Sequence, residues 1–221
     1  MNSYETLFAL AADKHGGPST LEGKLERPVS STELLAISDS CWLSAMAKNL
    51  FRAGFSWRVI ESKWLAFEEA FDRFDVNKVS HYNDDDVDRL LGDNSIVRNG
   101  AKIEAVIRNA AFAREIAAEH LSIGAYIALW PARQHNELLH EIATRGTRLG
   151  GTTGQRFLRQ MGKDTYILTP DVIARLCAEG VITGAPNSRR AMKSVQDAFN
   201  TWMDQSGRGL TEISQVLAMS I

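Results

Sequence analysis

The sequence predicts an all-α protein. Apolar residues recur at steps of three and four rather than two, most clearly at Trp57, Ile60, Trp64, Phe67 and Phe71, which predicts one face of one helix. No segment shows alternating β-branched residues bounded by turn signals. With 221 residues, 44% of them hydrophobic and 24% charged, the chain can bury a sizeable core. We therefore expect one globular unit, residues 1–221, built as two packed helical lobes.

The capping signals locate the first helices. Ser30 and Glu33 form a capping-box pattern before an apolar run, and Asn83 followed by three aspartates predicts a short helix that ends at Gly92. A longer apolar stripe predicts a helix over 99–120.

Later helices follow from Pro, Ser and Thr start signals and from helical spacing. They are predicted at about 122–129, 135–144, 153–162, 170–179, 188–205 and 211–219. The stretch from Gly16 to Pro28 is the best candidate for an extended connection. No internal repeat or low-complexity tract is present.

Charge excludes one class of function. The formal net charge is −2 and the sequence pI is about 6.2, which argues against coating nucleic acid by bulk electrostatics. Any phosphate contact must therefore come from a local patch. The acids cluster elsewhere, on what we interpret as a solvated face, at Glu68, Glu69, Asp72 and Asp75 and at Asp84, Asp85, Asp86, Asp88 and Asp93.

Cys41 and Cys177 are the two cysteines, and they support neither a disulfide framework nor a multi-cysteine metal site. No apolar run approaches membrane length, and the polar start lacks a charged segment followed by an apolar core. We expect a cytoplasmic protein that needs no metal or other cofactor and contacts no membrane.

A glycine-rich turn followed by a basic helix is the most informative segment, from Leu149 to Asp171. Glycines at a turn permit positive φ or close backbone approach, and threonines can cap the helix, whose N-terminus favours an anion. No Asp or Glu lies between residues 145 and 163, while the bases there are Arg145, Arg148, Arg156, Arg159 and Lys163.

This pattern predicts a helix-hairpin-helix over about 135–165 that holds a DNA backbone. The DNA-binding candidates are Arg148, Gly150, Gly151, Thr152, Thr153, Gly154 and Arg156. The alternative is an ordinary interhelix turn with glycine at a helix C-terminus, and the glycines alone favour it. The one-sided charge favours phosphate binding.

A polar residue interrupts an apolar helix face. Asn49 follows Trp42, Ala45 and Met46 on one stripe. Burying its amide unpaired costs on the order of 1–3 kcal/mol, so it needs a backbone partner or a ligand. Taken alone, Asn49 is better explained as a satisfied structural amide, and the tryptophans as core.

Four ordered blocks change that interpretation, because together they resemble the DNA-3-methyladenine glycosylase I family through roughly residues 42–165. The blocks are Ala53-Gly54-Phe55-Ser56-Trp57, Phe74-Asp75-Val76, Ile96-Val97-Arg98-Asn99 with Lys102-Ile103, and Gly151-Thr152-Thr153. The resemblance implies a monofunctional helix-hairpin-helix glycosylase of base-excision repair. Such an enzyme flips N3-methyladenine, or a related alkylated purine, out of double-stranded DNA and hydrolyses its N-glycosidic bond.

The resemblance also implies site residues. The base pocket would comprise Trp42, Met46, Asn49 and Trp57, with Asn49 and Trp57 acting on the base and Trp57 stacking against it. Phe55 would fill the gap left in the duplex, or else fold into the core. Asp171 is a catalytic candidate, as is Asp164, although a first-turn acid after Thr169-Pro170 explains Asp171 more simply.

Three departures from the family pattern stand out. Asn49 replaces a glutamate that recognises the cationic base. The family's zinc ligands are missing, with Asp171 and Arg175 at two of the expected positions, so zinc is not predicted. The catalytic aspartate of other helix-hairpin-helix glycosylases falls near Thr169, and no lysine lies in the turn, which disfavours β-lyase chemistry.

The sequence therefore predicts a monomeric glycosylase acting on double-stranded DNA that carries alkylated bases. The leading alternative is a non-catalytic helical protein that binds or senses damaged DNA, its activity lost with the glutamate. A third possibility, favoured only by the acidic net charge, is a helical interaction module without a nucleic-acid role.

Overall fold

The computed structural model describes residues 1–221 and contains helices, turns and no strand, which confirms the all-α prediction. No helix has both the length and the apolar composition needed to cross a membrane. Two short 3₁₀ turns lie at Asp72–Phe74 and Ala132–Gln134. The helices are α1 (Tyr4–Lys14), α2 (Pro18–Glu22), α3 (Ser31–Ala36), α4 (Asp39–Arg52), α5 (Trp57–Ser62), α6 (Trp64–Ala70), α7 (Val76–Val79), α8 (Asp84–Gly92), α9 (Gly100–His120), α10 (Ile123–Leu129), α11 (His135–Arg145), α12 (Gly151–Gln160), α13 (Pro170–Ala178), α14 (Arg189–Ser206) and α15 (Leu210–Met219).

The chain divides into two compact units. The central unit comprises Ser30–Leu129 and Leu139–Met161, and the terminal unit comprises Met1–Val29, Trp130–Leu138 and Gly162–Ile221. All four sequence blocks that carry the family resemblance lie in the central unit.

The long helix α9 organises the central unit, packing against α4, α7, α8 and α10. Its N-cap Asn99 accepts a hydrogen bond from the backbone of Lys102 at 3.1 Å. Beside it, the rings of Trp64 and Phe74 stack at 5.5 Å with their planes 8° apart. Asp75, next in sequence, caps α7. The Phe74-Asp75 block thus builds the core that supports α4.

In the terminal unit, α15 packs against α1 and α13. Asp164 holds the start of α15, since its carboxylate accepts hydrogen bonds from the backbone N–H groups of Leu210 at 3.0 Å and Thr211 at 2.8 Å. Asp164 therefore has a structural role at a helix N-terminus.

The predicted helix from Trp57 to Phe71 is wrong, because two helices meet there. The backbone of Lys63, at φ −101° and ψ 0°, separates α5 from α6. At this break the Lys63 ammonium donates to the carbonyls of Asn94 at 3.1 Å and Ser95 at 2.7 Å. Ile60, Trp64, Phe67 and Phe71 are buried, whereas Trp57 is 46% exposed.

Several helices begin at their predicted caps, although α15 begins at Leu210 with Gly209 as its N-cap and not at Thr211. The predicted capping box of Ser30 with Glu33 forms, and the predicted cap Asn83 forms a capping box with Asp86. The stretch from Gly16 to Pro28 is not wholly extended, because Pro18 starts the short helix α2.

Candidate functional site

The turn between α11 and α12 is compact, and its glycines have different roles. Gly151 has φ +57°, the left-handed region, and a Cβ there would meet nothing within 4 Å. Gly154 lies buried inside α12, where a Cβ would lie 2.3 Å from the carbonyl oxygen of Leu149. The close approach at Gly154 is therefore to the protein's own backbone, and the prediction that this glycine makes room for a ligand is wrong.

Helix α12 begins earlier than predicted. Gly150 is its N-cap and provides no side chain, so Thr152 and Thr153 lie within the first turn. The predicted capping by these threonines is wrong. Because no side chain caps α12, its first-turn N–H groups and positive dipole end remain available to an anion.

Arg148 and Arg156 lie near this helix start, and neither forms an ion pair with a carboxylate. Arg148 is exposed, with φ +58°. Arg156 lies on α12 itself, one turn from its start. These two guanidinium groups are the free positive charges beside the α12 N-terminus.

The other bases of the segment are already engaged. Arg145 forms ion pairs with Glu119 at 3.3 Å and with Glu115 at 3.8 Å. Lys163 is buried, donates to the carbonyl of Trp130 at 2.8 Å, and has its pKa lowered by burial. Lys163 therefore adds no free charge to the basic residues of the turn, because its ammonium supports the terminal unit.

On α4, the predicted pocket residues are core. Trp42 and Met46 are 0% and 1% exposed, and Trp42 packs edge-to-face on Phe157 of α12 at 5.8 Å. They do not present surface to a ligand in this structure. Their packing instead fixes α4 against α12.

Asn49, also buried, is oriented by two hydrogen bonds of its own and by one that fixes its partner Gln160. Its Nδ2 donates to the carbonyl of Ala45 and to Oε1 of Gln160, both at 2.9 Å, and Arg52 donates to the same Gln160 oxygen at 3.0 Å. Because a carbonyl can only accept, the amide nitrogen must face Ala45. The Asn49 oxygen accepts no hydrogen bond within the chain. Sequence reasoning missed Gln160, which is the last residue of α12 and carries no motif.

Beyond α4, Gly54 with φ +69° turns the chain and leaves two aromatic residues at the surface. Phe55 is 45% exposed and Trp57 is 46% exposed. The alternative that Phe55 folds into the core is therefore wrong. The guanidinium carbons of Arg52 and Arg156 lie 4.8 Å and 5.2 Å from the centre of the Trp57 ring, within cation–π range.

Lys102 anchors this turn from α9. Its ammonium donates to the carbonyls of Phe51 at 3.0 Å and Ala53 at 2.7 Å, which satisfies groups left open at the end of α4. Burial, together with the neighbouring charge of Arg148, lowers the pKa of Lys102. The third block of the resemblance thus holds the first block in place.

A single carboxylate pairs with the cations of α4. Glu61 bonds to Lys48 at 2.9 Å and to Arg52. The hydrogen bond from Lys48 is the main reason that the pKa of Glu61 is lowered. Glu61 therefore holds the lysine and the arginine in position and stays ionised.

Asp171 belongs to the terminal unit and is exposed in the first turn of α13. The N-cap is Thr169, whose hydroxyl accepts from Val172 N at 3.3 Å. Nor does the structure bring together three or more His, Cys, Asp or Glu side chains that could hold a metal ion.

A sequence model of the family described as methyladenine glycosylase matches residues 38–162, which span α4, the Gly54 turn and α12. The chain belongs to the methyladenine glycosylase family. Its curated relatives include a DNA-3-methyladenine glycosylase of Haemophilus influenzae, 28% identical over 93 residues, and DNA-3-methyladenine glycosylase 1 of Escherichia coli, 39% identical over 59 residues. The matches cover 41% and 27% of this chain, and 48% and 32% of those relatives. The chain thus spans about half the length or less of the curated relatives it matches.

Solved structures of DNA glycosylases share the fold of this family member. The 3-methyladenine DNA glycosylase I of Staphylococcus aureus superposes with a TM-score of 0.51 at 23% identity, covering 70% of this chain and 91% of that one. The 8-oxoguanine glycosylase/lyase of Methanocaldococcus jannaschii, solved with DNA containing 8-oxoguanine, gives a TM-score of 0.55 at 12% identity and covers 96% of this chain. The fold is that of the helix-hairpin-helix DNA glycosylases.

Proposed function

We propose that this protein is a monofunctional DNA glycosylase of base-excision repair. It flips N3-methyladenine or a related alkylated purine out of double-stranded DNA and hydrolyses the N-glycosidic bond. One observation carries the proposal. The family match covers both the segment with Asn49, Phe55 and Trp57 and the uncapped start of α12, and a flipped base and its DNA backbone require the two together.

DNA would contact the central unit through its backbone first. The first-turn N–H groups of α12 and the guanidinium groups of Arg148 and Arg156 can neutralise phosphates without breaking any ion pair. Phe55, exposed after the Gly54 turn, has the size and position of an apolar wedge that fills the space of the flipped base.

Hydrolysis of N3-methyladenine from DNA needs few catalytic groups from the protein. Methylation gives that base a positive charge, so the C1′–N bond breaks with its electron pair going to the base, which leaves uncharged. A water oxygen then bonds to C1′ and releases a proton. We assign Asn49 Oδ1 to accept from the adenine amino group and Trp57 to stack on the base.

Stacking at Trp57 has a structural requirement. Arg52 and Arg156 both lie over the ring, so a base that stacks on a face occupied by a guanidinium must displace it. Phosphate binding can draw Arg156 from the ring, because Arg156 forms no ion pair. DNA binding would thereby prepare the ring for the base.

The proposal includes the setting in which the protein acts. We assign double-stranded DNA with alkylated bases as its partner, a monomer as its working form, the cytoplasm as its location, and no metal or other cofactor. Residues 1–221 would act as a single glycosylase. Asp171 stabilises the first turn of α13, and we give it no catalytic role.

The direct test is release of free bases from DNA treated with a methylating agent, followed by chromatography of the small molecules. The proposal predicts N3-methyladenine or another alkylated purine above the level released without protein. Binding of methylated duplex without release would instead favour the non-catalytic, damage-binding alternative.

A further inference from the structure

We infer that the base site prefers an uncharged damaged purine over the cationic N3-methyladenine. This inference rests on the proposed glycosylase activity and concerns the charge of its substrate. The observation behind it is the charge of the groups that surround Asn49 and Trp57.

Cations outnumber carboxylates in this part of the central unit. Lys48 and Arg52 share the single carboxylate of Glu61. Lys102 and Arg156 form no ion pair, and they meet backbone carbonyls and the Trp57 ring instead. Four positive groups therefore face one negative group. A cationic base placed beside Asn49 would be repelled, most strongly by Arg52, whose side chain is 16% exposed and thus partly shielded from water.

The Asn49 side chain offers a base a hydrogen-bond acceptor that carries no charge. Its nitrogen is held by Ala45 and Gln160, and its oxygen is left without a partner in the chain. An amide oxygen with no donor in the chain can accept from a base that supplies an N–H group. The amide cannot turn over to offer its nitrogen without breaking both of its hydrogen bonds.

The same cations suit the leaving group of an uncharged base. Heterolysis of the C1′–N bond sends the electron pair to the base, so an uncharged base departs as an anion and then takes up a proton. Water adds its oxygen to C1′ and loses a proton, which completes the hydrolysis. Positive groups placed before the reaction stabilise the negative charge as it develops on the base. They give no such help when a cationic base departs as a neutral molecule.

The experiment compares base release from three duplexes that carry hypoxanthine, O6-methylguanine or N3-methyladenine. Each rate is divided by the rate without protein, because N3-methyladenine is lost spontaneously. The proteins are the wild type, Asn49→Glu, and Asn77→Glu as a control that adds the same charge at an exposed asparagine of the central unit.

The inference predicts that the wild type accelerates release of at least one uncharged base about tenfold more than release of N3-methyladenine. Asn49→Glu should reverse this preference and Asn77→Glu should retain it. Acceleration for N3-methyladenine alone would overturn the inference while leaving the proposed function intact. A preference that Asn49→Glu does not alter would also overturn it, by removing Asn49 from the site. Acceleration for none of the three would overturn the proposed function and the inference with it.

Discussion

The side chains of Asn49 and Gln160 are joined by a hydrogen bond of 2.9 Å, from Nδ2 of α4 to Oε1 at the last residue of α12. This bond links the helix that bears Asn49 to the helix whose start we propose to face the DNA backbone. It also settles the orientation of the Asn49 amide, since Arg52 donates to the same Gln160 oxygen. A side chain at the end of α12 thus positions the amide that we propose to bind the base.

The first prediction concerns that positioning. Gln160→Met removes the acceptor shared by Asn49 and Arg52 and leaves the Asn49 amide held only by the Ala45 carbonyl. We expect base release under single-turnover conditions to fall about five- to tenfold, the effect of one lost hydrogen bond of about 1 kcal/mol. Affinity for undamaged duplex should stay within about twofold, because the α12 N-terminus is untouched. Equal losses in both measurements would show that Gln160 supports the fold and not the amide.

The second prediction concerns phosphate contacts. Arg148→Ala and Arg156→Ala should each weaken binding to duplex of any sequence and reduce the slope of log K against log salt by about one unit. Arg108→Ala is a suitable control, since Arg108 is exposed on α9 and paired with Glu104 at 3.1 Å. If the slopes of the two hairpin variants match that of the control, the hairpin does not hold phosphates.

The third prediction separates two glycines of the same turn. Gly151→Val strains a residue at φ +57° in open space, so DNA binding should fall while most of the melting temperature is retained. Gly154→Val forces its side chain onto the Leu149 carbonyl and should destabilise the fold by several kcal/mol, on the order of other overpacked buried sites. Thermal unfolding and duplex titration of both variants test this. The reverse ranking would contradict the roles assigned to the two glycines.

The fourth prediction concerns groups that we place outside the chemistry. Asp171→Asn should retain base release within about twofold, because a first-turn carboxylate contributes chiefly to the helix dipole interaction. Protein purified without added metal should contain no stoichiometric zinc by elemental analysis, and a chelator should not lower its activity. A large loss of activity in Asp171→Asn, with stability unchanged, would return Asp171 to the list of catalytic groups.

Local signals predicted much of this fold. The side chains of Ser30, Asn83 and Thr169 bond to backbone groups a few residues away, so their helix starts are encoded in short stretches. The break at Lys63 was not predictable in this way, since its partners Asn94 and Ser95 lie more than thirty residues along the chain.

In the candidate site, too, short sequence segments predict some features and distant contacts determine the others. The four sequence blocks located its backbone, including the exposed Phe55 and Trp57 and the uncapped α12. The hydrogen bond between Asn49 and Gln160 and the contact of Arg156 with Trp57 each join residues about 100 positions apart in the sequence. Arg52, which also contacts Trp57, is close to it in sequence. Neither Gln160 nor Arg52 belongs to any of the four blocks. Only the folded chain shows that Arg52 contacts both Gln160, the hydrogen-bond partner of Asn49, and the Trp57 ring.

The most direct test of the central claim is single-turnover formation of abasic sites in alkylated duplex by the wild type and by Trp57→Ala, with Leu65→Ala as a control for an exposed apolar residue. We predict abasic sites with the wild type and the control, and a loss of roughly 10- to 100-fold with Trp57→Ala, the cost of one lost base stack of about 1–3 kcal/mol. Wild-type rates in Trp57→Ala would place the base elsewhere. No abasic sites with the wild-type protein, despite intact duplex binding, would contradict the assignment of this chain as a glycosylase.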